Sequence, residues 1–273
     1  MTHLKPTSLD QLVKSVACAP EETRYIAGGT DLVPQINRHG LPGPLVDLTS
    51  VPELRRLQLG DQILLSSGVT FAEVAQASVP QGLRDMASMV GSPQIRNRGT
   101  LGGNVANLSP AADAVPMLLA LDARVEVLNP RDHMTRLEPL EGLLSTRGRV
   151  VQSPLDLIVS FRVTNRWDIS FFGKVGSRRQ VTISKLNLAF AADLGSNVCR
   201  VFMGAIGPTP VRCPQAEEAI LALKGRDLME QLPRILSRAV EMAIPTRASM
   251  PYKRRAVMGL GEDLARCILT HGR

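Results

Sequence analysis

The sequence predicts an α+β fold. Three features point to it: a strand–turn–helix–strand opening, paired short strands in the middle of the chain, and strands that give way to long helices after residue 167. At 273 residues the chain is long enough to bury a real core, and with aromatics at only 3% that core must rest on Leu, Ile, Val, Met and Ala.

Each element has a local reason. Leu9, Leu12, Val13 and Val16 recur at helical spacing behind a Ser8/Gln11 capping-box pattern, so a helix is expected over 9–17. A short strand over 24–27 ends at Gly28-Gly29-Thr30-Asp31, and a short helix follows through Arg38. Pro34 falls in its first turn, where a missing N–H costs little. A strand over 45–48 then completes a small α/β unit with parallel pairing. Residues 54–59 and 62–66 flank Gly60-Asp61 as a hairpin or tight connection. Thr70 with Glu73 starts another helix, and a further helix reaches Val90. Residues 91–109, rich in Gly, Asn, Ser and Pro, read as loop, although Ile95, Leu101 and Val105 recur within it. Ser109-Pro110 is expected to cap a helix over 111–121 with Pro110 at its first position. Strands over 124–128 and 134–137 flank the turn Asn129-Pro130-Arg131-Asp132. Strand-like stretches at 168–175 and 198–206 precede the turn Gly207-Pro208-Thr209-Pro210, and helices fit 214–223, 228–243 and 250–269. The boundary between the two parts falls near 163–167. No internal repeat is visible.

Composition excludes several classes. The longest apolar run, 114–121, contains Pro116 and is far short of the roughly 20 residues that span a bilayer. Met1-Thr2-His3-Leu4-Lys5-Pro6 lacks a charged-then-apolar signal pattern, so a cytoplasmic protein is expected, or one exported as the passenger of a partner. The net charge is +7, but its basic clusters, Arg178-Arg179 and Lys253-Arg254-Arg255, lack interleaved aromatics, which argues against nucleic acid. Cys18, Cys199, Cys213 and Cys267 are too dispersed for an iron–sulfur cluster and read as buried free thiols in a reducing compartment. The four histidines are equally scattered, with no metal-ligand spacing.

Two glycine loops remain. In Ala27-Gly28-Gly29-Thr30-Asp31-Leu32, glycines let the main chain approach a ligand, successive N–H groups at a helix start suit an anion such as a pyrophosphate, and Thr30 adds a hydroxyl. An ordinary tight turn is the alternative. The second loop, Ile95-Arg96-Asn97-Arg98-Gly99-Thr100-Leu101-Gly102-Gly103-Asn104, repeats the hydroxyl and the glycine pair, and Asn104 can pin main-chain groups. Asp113, on the first turn of the next helix, either opposes the helix dipole or bonds a sugar or ribityl hydroxyl. Two such loops suit a dinucleotide gripped from both sides; spacing does not choose between FAD and NAD.

These loops, with Ser109-Pro110-Ala111-Ala112-Asp113 and the run to Ala123, resemble the FAD-binding medium subunits of molybdenum hydroxylases of the xanthine dehydrogenase and carbon monoxide dehydrogenase family. So do Phe171-Phe172-Gly173-Lys174-Val175-Gly176, Gly204 to Arg212 as G-A-x-G-P-x-P-x-R, and Arg247-Ala248-Ser249 followed by Tyr252-Lys253-Arg254. The resemblance covers nearly the whole chain. It implies a fold of the vanillyl-alcohol oxidase type: an FAD-binding domain over 1–165, with α/β subdomains about 1–55 and 56–165, and a C-terminal α+β domain of the CO dehydrogenase flavoprotein type over 166–273. It further implies that Ala27, Gly28, Gly29, Thr30, Asp31 and Leu32, with Thr100, Leu101, Gly102, Gly103 and Asn104, wrap the FAD pyrophosphate. By the same resemblance Asp113 bonds the ribityl or ribose region, and Lys174 sits near the flavin ring. No residue of this chain is assigned to bond-making catalysis or to a metal.

The activity implied is electron transfer within a complex. A molybdopterin subunit hydroxylates a substrate, an iron–sulfur subunit relays electrons through 2Fe–2S clusters, and FAD on this chain delivers them to NAD, oxygen or a quinone. The chain departs from the family at Thr182-Ile183-Ser184, where an Asp often precedes the apolar residue facing the flavin, and at Thr246, where an Asp is common. It also lacks the Cys-bearing insertion of the benzoyl-CoA reductase branch. Two other readings are a self-sufficient flavin oxidoreductase of the same fold and a scaffold subunit without flavin.

Overall fold

Short parallel strands open the chain. β1 (His3–Leu4), β2 (Arg24–Ile26) and β3 (Leu45–Asp47) lie in the order β1-β3-β2, joined through α1 (Leu9–Val16) and α2 (Leu32–His39). Ser8 starts α1 by accepting the Gln11 amide at 3.1 Å, and Leu12, Val13 and Val16 pack on Val46, Val51 and Leu54. This computed structural model describes residues 3–40, 43–147, 150–151, 153–178 and 181–271, without the side chains of 145–147. Met1, Thr2 and Arg179 of the segments read above lie outside the described residues.

The middle of the chain is an antiparallel five-stranded sheet in the order β4-β5-β8-β6-β7. Its strands are β4 (Leu57–Gln58), β5 (Gln62–Ser66), β6 (Arg124–Asn129), β7 (Met134–Pro139) and β8 (Leu157–Thr164). Between β5 and β6 the chain leaves the sheet for α3 (Phe71–Gln76), α4 (Gln81–Met89), α5 (Pro93–Arg96), α6 (Leu101–Asn107) and α7 (Ala114–Ala120); α8 (Leu140–Arg147) follows β7. The reciprocal Thr70/Glu73 capping box starts α3, with Thr70 Oγ1 accepting the Glu73 amide at 3.2 Å and a Glu73 oxygen accepting the Thr70 amide at 2.7 Å.

The last part is a four-stranded antiparallel sheet, ordered β12-β11-β10-β9, and three helices. Its strands are β9 (Ile169–Val175), β10 (Leu186–Asp193), β11 (Val198–Gly204) and β12 (Val211–Arg212). The helices are α9 (Pro214–Ala222), α10 (Gly225–Ala243) and α11 (Met250–His271). Both faces of this sheet are covered. Phe172, Ala189, Ala191 and Phe202 join the core of the middle unit, whereas Leu188, Phe190, Val201 and Met203 pack against Leu232, Leu236, Val240 and Val257. Arg200 crosses the junction, donating to Leu119 O at 3.0 Å and to Glu141 at 2.6 Å, and the buried Gly82 amide donates to Ser170 Oγ at 2.9 Å.

The mixed α and β content expected from sequence is what the chain adopts, with these corrections. The hairpin before residue 66 is shorter than expected, because Pro52–Arg55 forms a 3-10 turn and only Leu57–Gln58 pairs. The stretch read as loop at 91–109 contains α5 and α6. The helix expected from residue 111 starts at Ala114: Ser109 Oγ accepts the Ala111 amide at 3.3 Å in a separate turn, and Asn104 Oδ1 accepts the Ala114 amide at 3.3 Å. Strands β1, β8, β10 and β12 and helix α8 were not read from sequence at all. No helix among the described residues is long and apolar enough to cross a membrane.

Candidate functional site

The two glycine loops meet. Strand β2 delivers Ala27 and Gly28 to the start of α2, and Gly29 turns the chain at φ 69°, a conformation few other residues hold. Gly28 lies so close to the second loop that a Cβ there would fall 1.8 Å from Arg98 O. A Cβ on Gly99 would in turn lie 3.5 Å from Thr30 Oγ1. The contact is therefore backbone on backbone.

The second loop is held by the turn that follows β5. Leu101 N donates to Val69 O at 2.9 Å, Gly102 N to Ser67 O at 2.8 Å, and Phe71 N to Gly99 O at 3.1 Å. Thr100 caps α6, its Oγ1 accepting Gly103 N at 3.1 Å, and Thr100 O accepts Asn104 N at 3.0 Å. A Cβ on Gly102 would sit 2.4 Å from that of Ser67, so only glycine allows this approach.

The amides of the two loops differ in what they have left to give. Those of Leu101, Gly102, Gly103 and Asn104 are spent on the protein. Those of Gly28, Gly29, Thr30, Asp31 and Leu32 donate to no protein acceptor among the described residues. Consecutive unpaired N–H groups at a helix start form an anion-binding concavity.

Where the loops meet lies a cavity of about 220 Å³. It is lined by the main chain of Ala27, Gly28, Gly68, Gly102 and Gly103, by the hydroxyls of Thr49, Ser67, Thr70 and Thr100, and by the apolar Leu48, Leu54, Leu157 and Ile158; its charged groups are Arg98, Asp156 and Arg55, the last paired with Glu73 at 3.7 Å. Tyr25 also borders it. Its hydroxyl donates to Leu155 O at 2.8 Å, and burial, reinforced by Asp156, holds its proton on far above the usual range. Asp156 is paired with Arg136 at 2.8 Å.

Of the residues expected at a site, Ala27, Gly28, Thr100, Gly102 and Gly103 line this cavity. Gly29, Thr30, Asp31 and Leu32 continue the free amide run beside it. Leu101 is fully buried beneath, and Asn104 ties α6 to α7. Asp113 and Lys174 are not among the residues that line the cavity; Asp113 directly precedes Ala114, whose amide is held by Asn104 of α6. Lys174 Nζ pairs with Asp113 Oδ2 at 2.7 Å, with each side chain 8% exposed. Lys174 is thus a buried partner of Asp113. Asp113 Oδ1 accepts from Ser184 Oγ at 2.6 Å and from Asn187 Nδ2 at 2.9 Å.

The C-terminal motifs hold this end together. Ala205, in the left-handed region at φ 60°, donates its amide to Pro110 O at 2.9 Å, and buried Lys253 donates to Ala205 O. Burial, then the nearby Arg247 charge, push the Lys253 ammonium below its ordinary pKa. Arg212 grips Glu217 at 2.9 Å. Sequence reasoning missed Tyr25, Arg55, Ser67, Gly68, Thr70, Ser184 and Asn187. The small polar run Ser66-Ser67-Gly68 directly after a strand was the one available signal for part of that set.

A cradle of free amides, two arginines and a backbone contact that any Cβ would pry open fit a nucleotide diphosphate, which defines the class as a nucleotide-binding α+β protein. Comparison with known proteins narrows this. Residues 1–164 match the model of the FAD binding domain in molybdopterin dehydrogenase, and residues 172–266 match that of the CO dehydrogenase flavoprotein C-terminal domain. The chain is 30% identical over 230 residues to the xanthine dehydrogenase FAD-binding subunit of Escherichia coli O157:H7, covering 80% of this chain and 78% of that one. It is 32% identical over 255 residues to the nicotinate dehydrogenase FAD-subunit of Eubacterium barkeri, covering 88% and 86%. In fold it matches a chain of carbon monoxide dehydrogenase from Hydrogenophaga pseudoflava with a TM-score of 0.81 at 21% identity, covering 98% of each chain. The chain belongs to the FAD-binding subunits of the molybdenum hydroxylase family and is an oxidoreductase component.

Proposed function

We propose that this chain holds one FAD within a molybdenum hydroxylase, and that the bound flavin supplies redox chemistry between the 2Fe–2S clusters of an iron–sulfur partner subunit and an acceptor, NAD, oxygen or a quinone. A molybdopterin subunit of the same cytoplasmic complex carries the hydroxylation. One observation carries the reading: the five free amides from Gly28 to Leu32 open beside a cavity that both glycine loops line.

The residues divide the work. Gly28, Gly29, Thr30, Asp31 and Leu32 bind the diphosphate through their amides, and Arg55 and Arg98 add charge to that hold. Thr100, Leu101, Gly102, Gly103 and Asn104 shape the opposite wall, with their own amides satisfied, so that wall is rigid before any ligand arrives. With FAD bound, Asp113 would hold a ribityl or ribose hydroxyl, and the Lys174 ammonium would offset negative charge on the flavin. Residues 1–165 act as the FAD-binding domain, with subdomains about 1–55 and 56–165, and residues 166–273 close over it.

The test is direct. The purified chain loaded with FAD is expected to show flavin absorption bands that survive desalting, and to co-purify with one larger and one smaller partner from its host. Gly103→Val, which puts a branched side chain at the cavity wall, is expected to abolish retention. Absence of flavin bands after loading the unmodified chain would overturn the reading.

A further inference from the structure

We infer that Ser184 is a positioning residue that fixes the Asp113 carboxylate, and through it the charge that the Asp113–Lys174 pair presents at the flavin end of the site. The inference deepens the function proposed above and rests on its placement of that pair.

The geometry is specific. Lys174 on β9 and Asn187 on β10 are direct cross-strand partners, so both side chains leave the sheet on one face, and Asp113 sits over them. The carboxylate is held on both sides: Oδ1 takes Ser184 Oγ at 2.6 Å and Asn187 Nδ2 at 2.9 Å, and Oδ2 takes Lys174 Nζ at 2.7 Å. Asp113 is 6% exposed, Ser184 5% and Asn187 fully buried, so water does not substitute for a lost donor. Lys174 also donates to Thr182 O at 3.3 Å. The residues on either side of Ile183 are thereby fastened inward, which leaves the Ile183 side chain 79% exposed.

The consequence is electrostatic. A hydroxyl donated to an anion in a dry site offsets part of its charge. Without it the Asp113 carboxylate acts as a fuller negative charge and cancels more of Lys174. Reduced, electron-rich flavin is then disfavoured relative to oxidised flavin.

Redox titration of the flavin in the full chain, free or in its complex, tests this alongside FAD affinity for each oxidation state. Ser184→Ala is expected to weaken binding of reduced FAD relative to oxidised FAD by roughly three- to tenfold, tenfold being about 30 mV for a two-electron couple. Ser184→Cys keeps the volume with a poor donor and should shift the ratio the same way if the alanine variant does not fold. Ser184→Thr, which restores a hydroxyl, should return the wild-type ratio; a merely structural role would not separate threonine from cysteine in this manner. Alanine and cysteine variants that bind FAD with the wild-type ratio would overturn the inference. A wild-type chain that takes up no FAD would instead sink the proposed function, and this inference with it.

Discussion

A single carbon added at Gly28 should separate the two loops. The Cβ of Gly28→Ala would stand 1.8 Å from Arg98 O, 2.5 Å from Arg98 C and 3.0 Å from Gly99 N. All three are backbone atoms of a segment anchored through Gly99 O and Gly102 N, so no side chain can rotate away. An ordinary contact of about 3.4 Å requires the loops to part by roughly 1.5 Å, enough to break hydrogen bonds that fail beyond about 3.5 Å. Losing two charge-assisted bonds to the diphosphate, at roughly 1.5 kcal/mol each, costs about 3 kcal/mol, or about 100-fold in Kd. Overpacking should cost a further 1–3 kcal/mol, roughly, in stability. Fluorescence titration with FAD reads the first quantity and thermal unfolding the second. Gly259→Ala is the control: a Cβ there meets nothing within 4 Å, and alanine in a helix is worth roughly 0.5–1 kcal/mol over glycine. A Gly28→Ala protein that binds FAD within threefold of wild type would refute the reasoning.

Two further outcomes follow from the buried charges. Lys174→Met strands the Asp113 carboxylate in a dry site, at a cost of roughly 3–5 kcal/mol, which should lower Tm by roughly 5–9 °C for a chain of this size. Adding Asp113→Asn should restore most of the loss, and a single-variant shift below about 2 °C would contradict the account. Lys253 is held below its ordinary pKa of 10.5, so between that lowered value and 10.5 the unfolded chain binds more protons than the folded one. Its contribution to stability therefore rises with pH across that window, and the difference in Tm between wild type and Lys253→Met should grow in favour of wild type as pH increases through it. A difference that shrinks or stays flat would go against this.

Much of the fold was legible because local chemistry agreed with global structure. Both capping patterns cap helices, with one variation: the Gln11 side chain reaches back to Thr7 N at 2.7 Å and not to Ser8. What stayed hidden had tertiary causes. Strand β10, Leu-Asn-Leu-Ala-Phe-Ala-Ala-Asp, is buried on both faces, so it carries no polar alternation, and β8 is nearly the same. Helix α6 contains two glycines and two asparagines, a poor helical composition; the Thr100 cap and the bonds to Ser67 and Val69 carry it. Within the candidate site, the glycine loops announced themselves by composition. Ser184 and Asn187 did not, because their role exists only once β9, β10 and the turn before α7 are brought together.

The central claim is that the amides from Gly28 to Leu32 bind the diphosphate while those from Leu101 to Asn104 are already committed to the protein. Residue-resolved amide exchange by NMR, with and without saturating FAD, tests it most directly. The account predicts that FAD slows exchange and shifts resonances at Gly28, Gly29, Thr30, Asp31 and Leu32, whereas Leu101 to Asn104 exchange slowly in both states. FAD binding that leaves the first set unchanged, or protects only the second, would contradict it.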